Sequence, residues 1–306
     1  MALFEKALEA KVMSTKLLIR ANVSKKVLLE AYGIATAFEA RYSAYRPDSF
    51  LNRINGAAGK ERVPCREEDR ALLERCIEAS RRSGGAFDVT IGALSHGAYR
   101  FGFADQGIAS EETIERQKAL VGFEMIDITG EGIYLPIKGM RLDLGGIGKG
   151  YAARMIALFL KGQGATKALV DVGGEIVTFG KRYTIALKHP FAEGNIAHLR
   201  VSGQPLSIST SGDYERYIGT REHHHILNRE SGRSAGGYSS MTVLRNGFDI
   251  DLLDAYATAM FNMDEASVRS QVRTLQVATI IIDKASDIRI DNLSSVDFGT
   301  LSLIRG

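Results

Sequence analysis

The stretch Arg141-Leu142-Asp143-Leu144-Gly145-Gly146-Ile147-Gly148-Lys149-Gly150-Tyr151-Ala152 reads as a strand running into a glycine loop that opens a helix. Such a loop binds anions. Glycines let the backbone approach a phosphate, a helix N-terminus offers unpaired N–H groups with partial positive charge, and Lys149 adds a full one. The nucleoside-triphosphate pattern G-x-x-x-x-G-K-[ST] does not fit, because position 143 is Asp143 and position 150 is Gly150. The dinucleotide pattern G-x-G-x-x-G counted from Gly146 meets Tyr151 where its third glycine belongs. A different phosphate chemistry is implied.

A second candidate lies far along the chain. In Asp251-Leu252-Leu253-Asp254-Ala255-Tyr256-Ala257-Thr258, Asp254 and Thr258 share one face of a helix. A carboxylate and a hydroxyl so placed are half of a hard-cation site of the kind Mg²⁺ takes, its remaining ligands being substrate phosphate and water. Alone the pair is better explained by a first-turn acid answering the helix dipole beside an incidental threonine. The glycine loop strengthens the cation reading, since a bent backbone can lend a carbonyl oxygen. Of His223-His224-His225, no three adjacent imidazoles can face one ion, and one as a proton carrier fits the ordinary imidazole pKa better than zinc. Thr210 to Tyr217 packs hydroxyls, charge and two tyrosines after a strand, as a ligand-lining loop would. Gly84 to Thr90 reads as a helix stop turning into a strand, and Asp48-Ser49 with Asn52 to Asn55 reads as capping chemistry.

The elements that must hold these residues follow from periodicity and punctuation. A strand over 15–21 precedes a helix capped at Ser24, with Val27, Leu28, Ala31, Ile34 and Phe38 at helical spacing and a stop near Pro47. Helices are predicted over 67–83, with Leu72, Leu73, Cys76 and Ile77 inward, over 150–160, and over 251–263. Short strands are predicted over 168–172, 175–179, 183–187, 198–201, 206–209, 240–244 and 278–282, and a polar surface loop over 220–238. No fixed-period repeat or low-complexity linker appears, so the pattern favours one α+β unit over separable domains.

Bulk properties exclude other classes. The 306 residues carry 39 basic and 36 acidic side chains, a net +3 that gives no nucleic-acid footprint. The first twenty residues, interrupted by Glu5, Lys6, Glu9 and Lys11, hold no export-type apolar core, and nothing later reaches membrane-span length, which points to a cytoplasmic protein. Cys65 and Cys76 have no metal or disulfide spacing and read as small apolar filler.

In series, these blocks resemble the ApbE family of FAD:protein FMN transferases over about Met13 to Phe261. The resemblance rests on Val12-Met13-Ser14-Thr15, Tyr42-Ser43-Ala44-Tyr45 with Asp48-Ser49 and Asn55, Gly85-Ala86-Phe87-Asp88-Val89-Thr90, the loop from Asp143 to Tyr151, and Asp171-Val172-Gly173-Gly174-Glu175. It continues through Ser211-Gly212-Asp213-Tyr214, His225-Ile226-Leu227 and Asp254-Ala255-Tyr256-Ala257-Thr258-Ala259. It implies two intimately packed T-fold-like halves with the site between them, residues 1–306 forming a single domain. It also implies Mg²⁺, FAD as substrate, attack by a threonine hydroxyl of an acceptor protein on the FMN-side phosphorus, and release of AMP. Asp254 and Thr258 would be side-chain metal ligands and Gly148 a carbonyl ligand; Met13, Tyr45, Ala86, Phe87, Asp88, Gly145, Tyr151 and Leu227 would contact FAD; His225 would assist proton transfer.

The chain departs from the family pattern H-I-I-D-P-x-T-G after the histidine, with Asn228, Arg229 and Ser231 in place of the Asp, Pro and Thr. The lost carboxylate implies a missing orienter of His225 or of the cation shell, and hence slower turnover or an unusual acceptor. A hydrolase yielding FMN and AMP, or a flavin binder without turnover, are the alternatives.

Overall fold

The computed structural model describes residues 4–304. In chain order the elements are β1 (Lys6–Val12), β2 (Thr15–Ala21), α1 (Lys25–Tyr42), α2 (Phe50–Ala57), α3 (Glu67–Arg82), α4 (Gly92–Gly97), α5 (Glu111–Lys118), β3 (Asp127–Thr129), β4 (Gly132–Tyr134) and α6 (Gly148–Gly162). Then follow β5 (Ala168–Val172), β6 (Glu175–Phe179), β7 (Thr184–Lys188), β8 (Asn195–Arg200), β9 (Leu206–Gly212), β10 (Tyr217–Ile218), β11 (Thr220–His224) and β12 (Tyr238–Asn246). The chain closes with α7 (Ile250–Phe261), α8 (Glu265–Leu275), β13 (Ala278–Asp283), β14 (Ile288–Asp291) and β15 (Thr300–Leu303).

Eight strands form one antiparallel sheet in the order β1-β2-β5-β6-β9-β12-β13-β14. The order exposes two halves of the same plan. In each, two strands, a pair of helices and two more strands follow in order: β1-β2, α1 and α6, β5-β6 in the first, with α2 to α5 and β3-β4 inserted between its helices; β9-β12, α7 and α8, β13-β14 in the second, with β10-β11 inserted between its first two strands. They join where β6 pairs with β9, from Ile176 opposite Ile208 to Thr178 opposite Leu206. The α+β expectation holds.

Both faces of the central strands are covered, so β13 is buried along almost its whole length, with the apolar run Ile280 to Ile282. Its Ile281 packs into the helical layer, while Ala278, Ile280 and Ile282 pack on the other face against β7 and β8 of the small sheet β15-β8-β7. Alternation of side chains across a strand accounts for the split. Cys76 is buried in α3 and both cysteines are free. Among the described residues, no helix is long and apolar enough to cross a membrane.

Several expectations need correction. Residues 141–147 are not a strand: Arg141 makes only an isolated bridge to Ile91. The backbone of Leu142 is held by a side chain instead, its N–H donating to Asn55 Oδ1 at 2.7 Å and its carbonyl accepting from Asn55 Nδ2 at 3.1 Å. Asn55 is therefore a clamp on the glycine loop, more than helix-end chemistry. The helix opens at Gly148, two residues earlier than expected. Residues after Gly85 do not become a strand; Asp88 Oδ1 accepts from the backbone N–H and hydroxyl of Thr90, which turns the chain into α4. The polar stretch 220–238 begins with β11, paired to β10. The structure also adds strands β1, β3, β4, β10, β14 and β15 and helices α2, α4, α5 and α8 to the predicted elements.

Candidate active site

A cavity of about 580 Å³ opens between the halves. Its floor is the glycine loop and the start of α6, facing α7. The approach of these helices is close enough that a Cβ on Gly150 would lie 2.6 Å from the carbonyl oxygen of Ile250, 2.8 Å from Cα of Asp251 and 2.9 Å from Cβ of Asp254. The contact has a polar stitch, the Gly150 N–H donating to Asp254 Oδ2 at 3.0 Å. On the other side of Gly148, a Cβ on Gly146 would lie 3.0 Å from Thr258 Oγ1. Gly148, the first residue of α6, lies between these two positions in sequence, and a Cβ on it would face Phe38 at 3.3 Å and Leu144 at 3.5 Å. Ser211 and Thr258 hydroxyls are 3.3 Å apart.

Two hairpin tips form one wall. Met13 and Ser14 link β1 to β2 with φ of 52° and 60°, left-handed values rarely taken outside glycine, and the turn places Met13 in the cavity lining. The β5–β6 turn uses Gly173 and Gly174, and a Cβ on Gly173 would lie 2.3 Å from the Thr15 hydroxyl. Only glycine lets the tips lie side by side.

The electrostatics centre on two buried carboxyls and a partly exposed ammonium. Asp254 and Glu175 are 2% and 1% exposed, and Lys149 is ion-paired to Glu175. Burial pushes both carboxyls up; Asp254 pushes Glu175 further and Lys149 opposes both rises. Burial works against the Lys149 charge, but Glu175 and Asp254 outweigh it and hold the ammonium above its ordinary range. Glu175 Oε2 is buried without a hydrogen-bond partner. Among the described residues no three His, Cys, Asp or Glu side chains cluster at metal-binding range. The donor set suits a hard cation that shares its shell with substrate phosphate, and not one enclosed by protein.

His225 lines the cavity opposite. Its Nδ1 lies 3.1 Å from the carbonyl oxygen of Arg216, and a carbonyl only accepts, so the ring hydrogen sits on Nδ1 and Nε2 keeps its lone pair. Burial, then the Arg216 charge, lowers its pKa to about 4, so the ring is neutral at pH 7. His224 is structural: Nε2 meets the Ala235 carbonyl at 2.8 Å and Nδ1 accepts from Ile226 N–H at 3.3 Å.

Of the residues singled out from sequence, Met13, Tyr45, Ala86, Phe87, Asp88, Gly145, Gly148, His225, Leu227, Asp254 and Thr258 all line the cavity. Tyr151 does not; it packs on Phe38 with ring centroids 5.6 Å apart. The Thr210–Tyr217 reading places well, since Thr210, Ser211, Tyr214 and Arg216 face the cavity. Asp88 is engaged already: beyond Thr90, its Oδ2 accepts from Phe123 N–H at 3.1 Å and from Arg229 Nη1 at 2.8 Å. Arg229 lies flat against Gly85, where a Cβ would meet its guanidinium at 2.6 Å. Asn228 Oδ1 accepts from the N–H groups of Glu230 and Ser231, capping a turn. The residues that depart from the family pattern have local structural partners.

His96 had no motif to mark it. Its Nε2 lies 3.3 Å from Asp143 Oδ2, which also accepts from the Ser95 hydroxyl at 2.6 Å, while Asp143 Oδ1 accepts from Gly145 N–H at 2.8 Å. Burial alone would raise the Asp143 carboxyl; His96, Ser95 and Gly145 overcome it and hold it well below the usual carboxylate range.

Comparison with known proteins adds family and fold. The sequence model of the ApbE family matches residues 12–281. A Klebsiella pneumoniae protein named FAD:protein FMN transferase is 31% identical, the match covering 86% of this chain and 84% of that protein. A Vibrio cholerae protein of the same name is 26% identical over 86% of this chain and 81% of its own. The crystal structure of the ApbE protein of Thermotoga maritima superposes with a TM-score of 0.85 at 25% identity, covering 96% of this chain and 99% of that one. The flavin transferase ApbE of Vibrio cholerae gives a TM-score of 0.83 at 24% identity, with 96% and 99% covered.

Proposed function

The chain belongs to the ApbE family, and from that premise we propose that it transfers FMN from FAD to a threonine hydroxyl of an acceptor protein, with Mg²⁺, releasing AMP. The observation that carries this reading is the meeting of the glycine loop with Asp254 and Thr258 at the floor of one cavity. Phosphoryl transfer is assisted mainly by positioning and by neutralising phosphate oxygens. Asp254, Thr258 and the Gly148 carbonyl would hold the cation, which supplies that neutralisation when bound.

The protein's own groups do the rest. N–H groups at the opening of α6 face the pyrophosphate. Met13, Tyr45, Ala86, Phe87, Gly145 and Leu227 enclose the flavin dinucleotide, with Tyr45 held by a hydrogen bond from Arg216 to its hydroxyl at 2.7 Å. Asp88 acts from behind, fixing the turn that presents Ala86 and Phe87. His225 receives the threonine proton at Nε2, the atom its contact with Arg216 leaves free, a contribution of about 10²- to 10⁴-fold. The arrangement of both halves around one cavity supports reading residues 1–306 as a single catalytic domain.

The test is the mass of a co-expressed threonine-bearing acceptor after incubation with FAD and Mg²⁺. Addition of FMN through phosphate, with AMP released, is the expected result. Release of FMN and AMP with the acceptor unmodified would replace transfer by hydrolysis, and unchanged FAD would leave only binding.

A further inference from the structure

Two segments far apart in the chain each give the cavity part of a wall: His225 to Leu227 on one, Ala86 to Asp88 on the other. The loop that follows His225 is closed on itself, the Asn228 N–H donating to the Arg233 carbonyl and the Gly232 N–H to the Asn228 carbonyl, each at 2.8 Å. Its far end is anchored away from the cavity, where the buried Tyr99 hydroxyl donates to the Gly232 carbonyl at 2.9 Å. Among the described residues, the hydrogen bonding between this loop and the Gly85–Asp88 turn is made by Arg229 alone. Its Nη1 donates to the buried Asp88 Oδ2 at 2.8 Å, and its outer edge reaches Glu124 Oε1 at 3.4 Å. The flat guanidinium fits because Gly85, at φ 84°, has no Cβ to meet it. Arg229 itself does not line the cavity. In the family pattern this position is a proline, which has no side-chain donor, so the tie is this chain's own.

We infer that Arg229 is a positioning residue for FAD: it fastens the loop bearing His225 and Leu227 to the turn bearing Ala86 and Phe87, and so fixes the gap between two walls before the dinucleotide enters. The inference rests on the FAD-binding part of the reading above. Arg229 stands two residues from Leu227 and bonds the residue next to Phe87, so a short, stiff connection spans the gap from behind. A ligand entering a preset gap does not spend affinity on ordering its walls. Cutting the tie leaves the groups facing the ligand in place and lets their spacing vary.

Calorimetric titration of FAD in the presence of Mg²⁺, at a temperature where every variant is folded, reads this directly. Arg229→Met is expected to weaken FAD binding by about tenfold or more. Arg229→Gln, too short to reach Asp88, carries the same expectation if the methionine variant does not fold. Arg229→Lys, which keeps a charge and a donor for Asp88 Oδ2, is expected to bind FAD within about threefold of wild type. The control is Tyr99→Phe, which loses the other anchor of the same loop while keeping the ring that packs beside Leu227. It is expected to lower the melting temperature and leave FAD affinity within about twofold. Wild-type FAD affinity in both Arg229→Met and Arg229→Gln overturns the inference. So does a Tyr99→Phe protein that loses as much affinity as they do, because general loosening of the loop would then explain both. A wild-type protein that does not bind FAD overturns the parent reading instead.

Discussion

Gly150→Ala gives a test in which the sign of the effect is at stake. Inside a helix this exchange ordinarily stabilises by about 1 kcal/mol, because alanine has less backbone freedom to lose. Here the new methyl would meet backbone atoms of Ile250 and Asp251 at 2.6 and 2.8 Å, and backbone does not swing aside. Overpacking of this kind costs about 1–3 kcal/mol, and the charge-assisted bond from Gly150 N–H to Asp254 Oδ2 is worth about 1.5–3 kcal/mol if α6 is pushed off it. Against the intrinsic gain, the net is a loss of about 1.5–5 kcal/mol. The control is Gly33→Ala, at an exposed position within α1 with no atom within 4 Å of the new Cβ, where a gain of about 0.5–1 kcal/mol is expected. Urea unfolding of both variants measures the difference, and Mg²⁺ titration follows the displacement of Asp254. A Gly150→Ala protein as stable as the Gly33→Ala protein would refute the claim that helix contact positions the acid.

Three other outcomes follow from the same geometry. Asp254→Asn should abolish Mg²⁺-dependent turnover without lowering the melting temperature, because burial disfavours the charged form and removing the charge relieves it; a lower melting temperature would contradict that. His225, neutral in the fold with its pKa lowered from 6.5 to about 4, makes the unfolded chain the better proton binder in that interval, so its contribution to stability is present above pH 6.5 and is lost as pH falls towards 4. His225→Gln should remove on the order of 1–2 kcal/mol of the difference between pH 7 and pH 5, read by urea unfolding, and should lose transfer while keeping most FAD affinity. Asp88→Asn breaks a buried carboxylate away from Arg229 and three other donors, and should destabilise by about 2–4 kcal/mol, as checked by thermal melting; an unchanged melting temperature would free Asp88 for a direct role with FAD.

How much of this was legible beforehand differs by element, for physical reasons. The glycine loop announced itself because close backbone approach admits no other residue, and Gly146 and Gly150 both turn out to be pressed against α7 side chains or backbone. Helices α1, α3 and α7 have apolar residues recurring at their period over several turns. Helix α5 buries only Ile114, so no stripe marks it, although Ser110 at its N-cap and Glu111 and Glu112 in its first turn were readable. Helix α8 is outside the predicted elements although its Asp264 cap and Val268, Val272 and Leu275 at helical spacing mark it. Strand β1 is an exposed edge with charges on it, which is how edges resist pairing with other chains, and the same charges hide the alternation.

The site was legible in its parts and not in its connections. Ser95 and His96 are 48 and 47 residues from Asp143, and no local pattern tells that they meet its carboxylate. Glu175 could be read as the end of a hairpin turn, yet its being buried behind Lys149 depends on which face of β6 is turned to the helices. The halves share a plan in space without any sequence repeat, because a sheet covered on both faces asks only for apolar residues and short turns, and many sequences supply those. Function then broke the symmetry at the seam. The first half contributes a loop stripped of side chains, the second a carboxylate and a hydroxyl one helical turn apart, and the two meet at the floor of the cavity. A chain that kept both halves folded but lost the contact of Gly150 with α7 would keep its sheet, its cores and its family likeness, and would have no floor to its cavity.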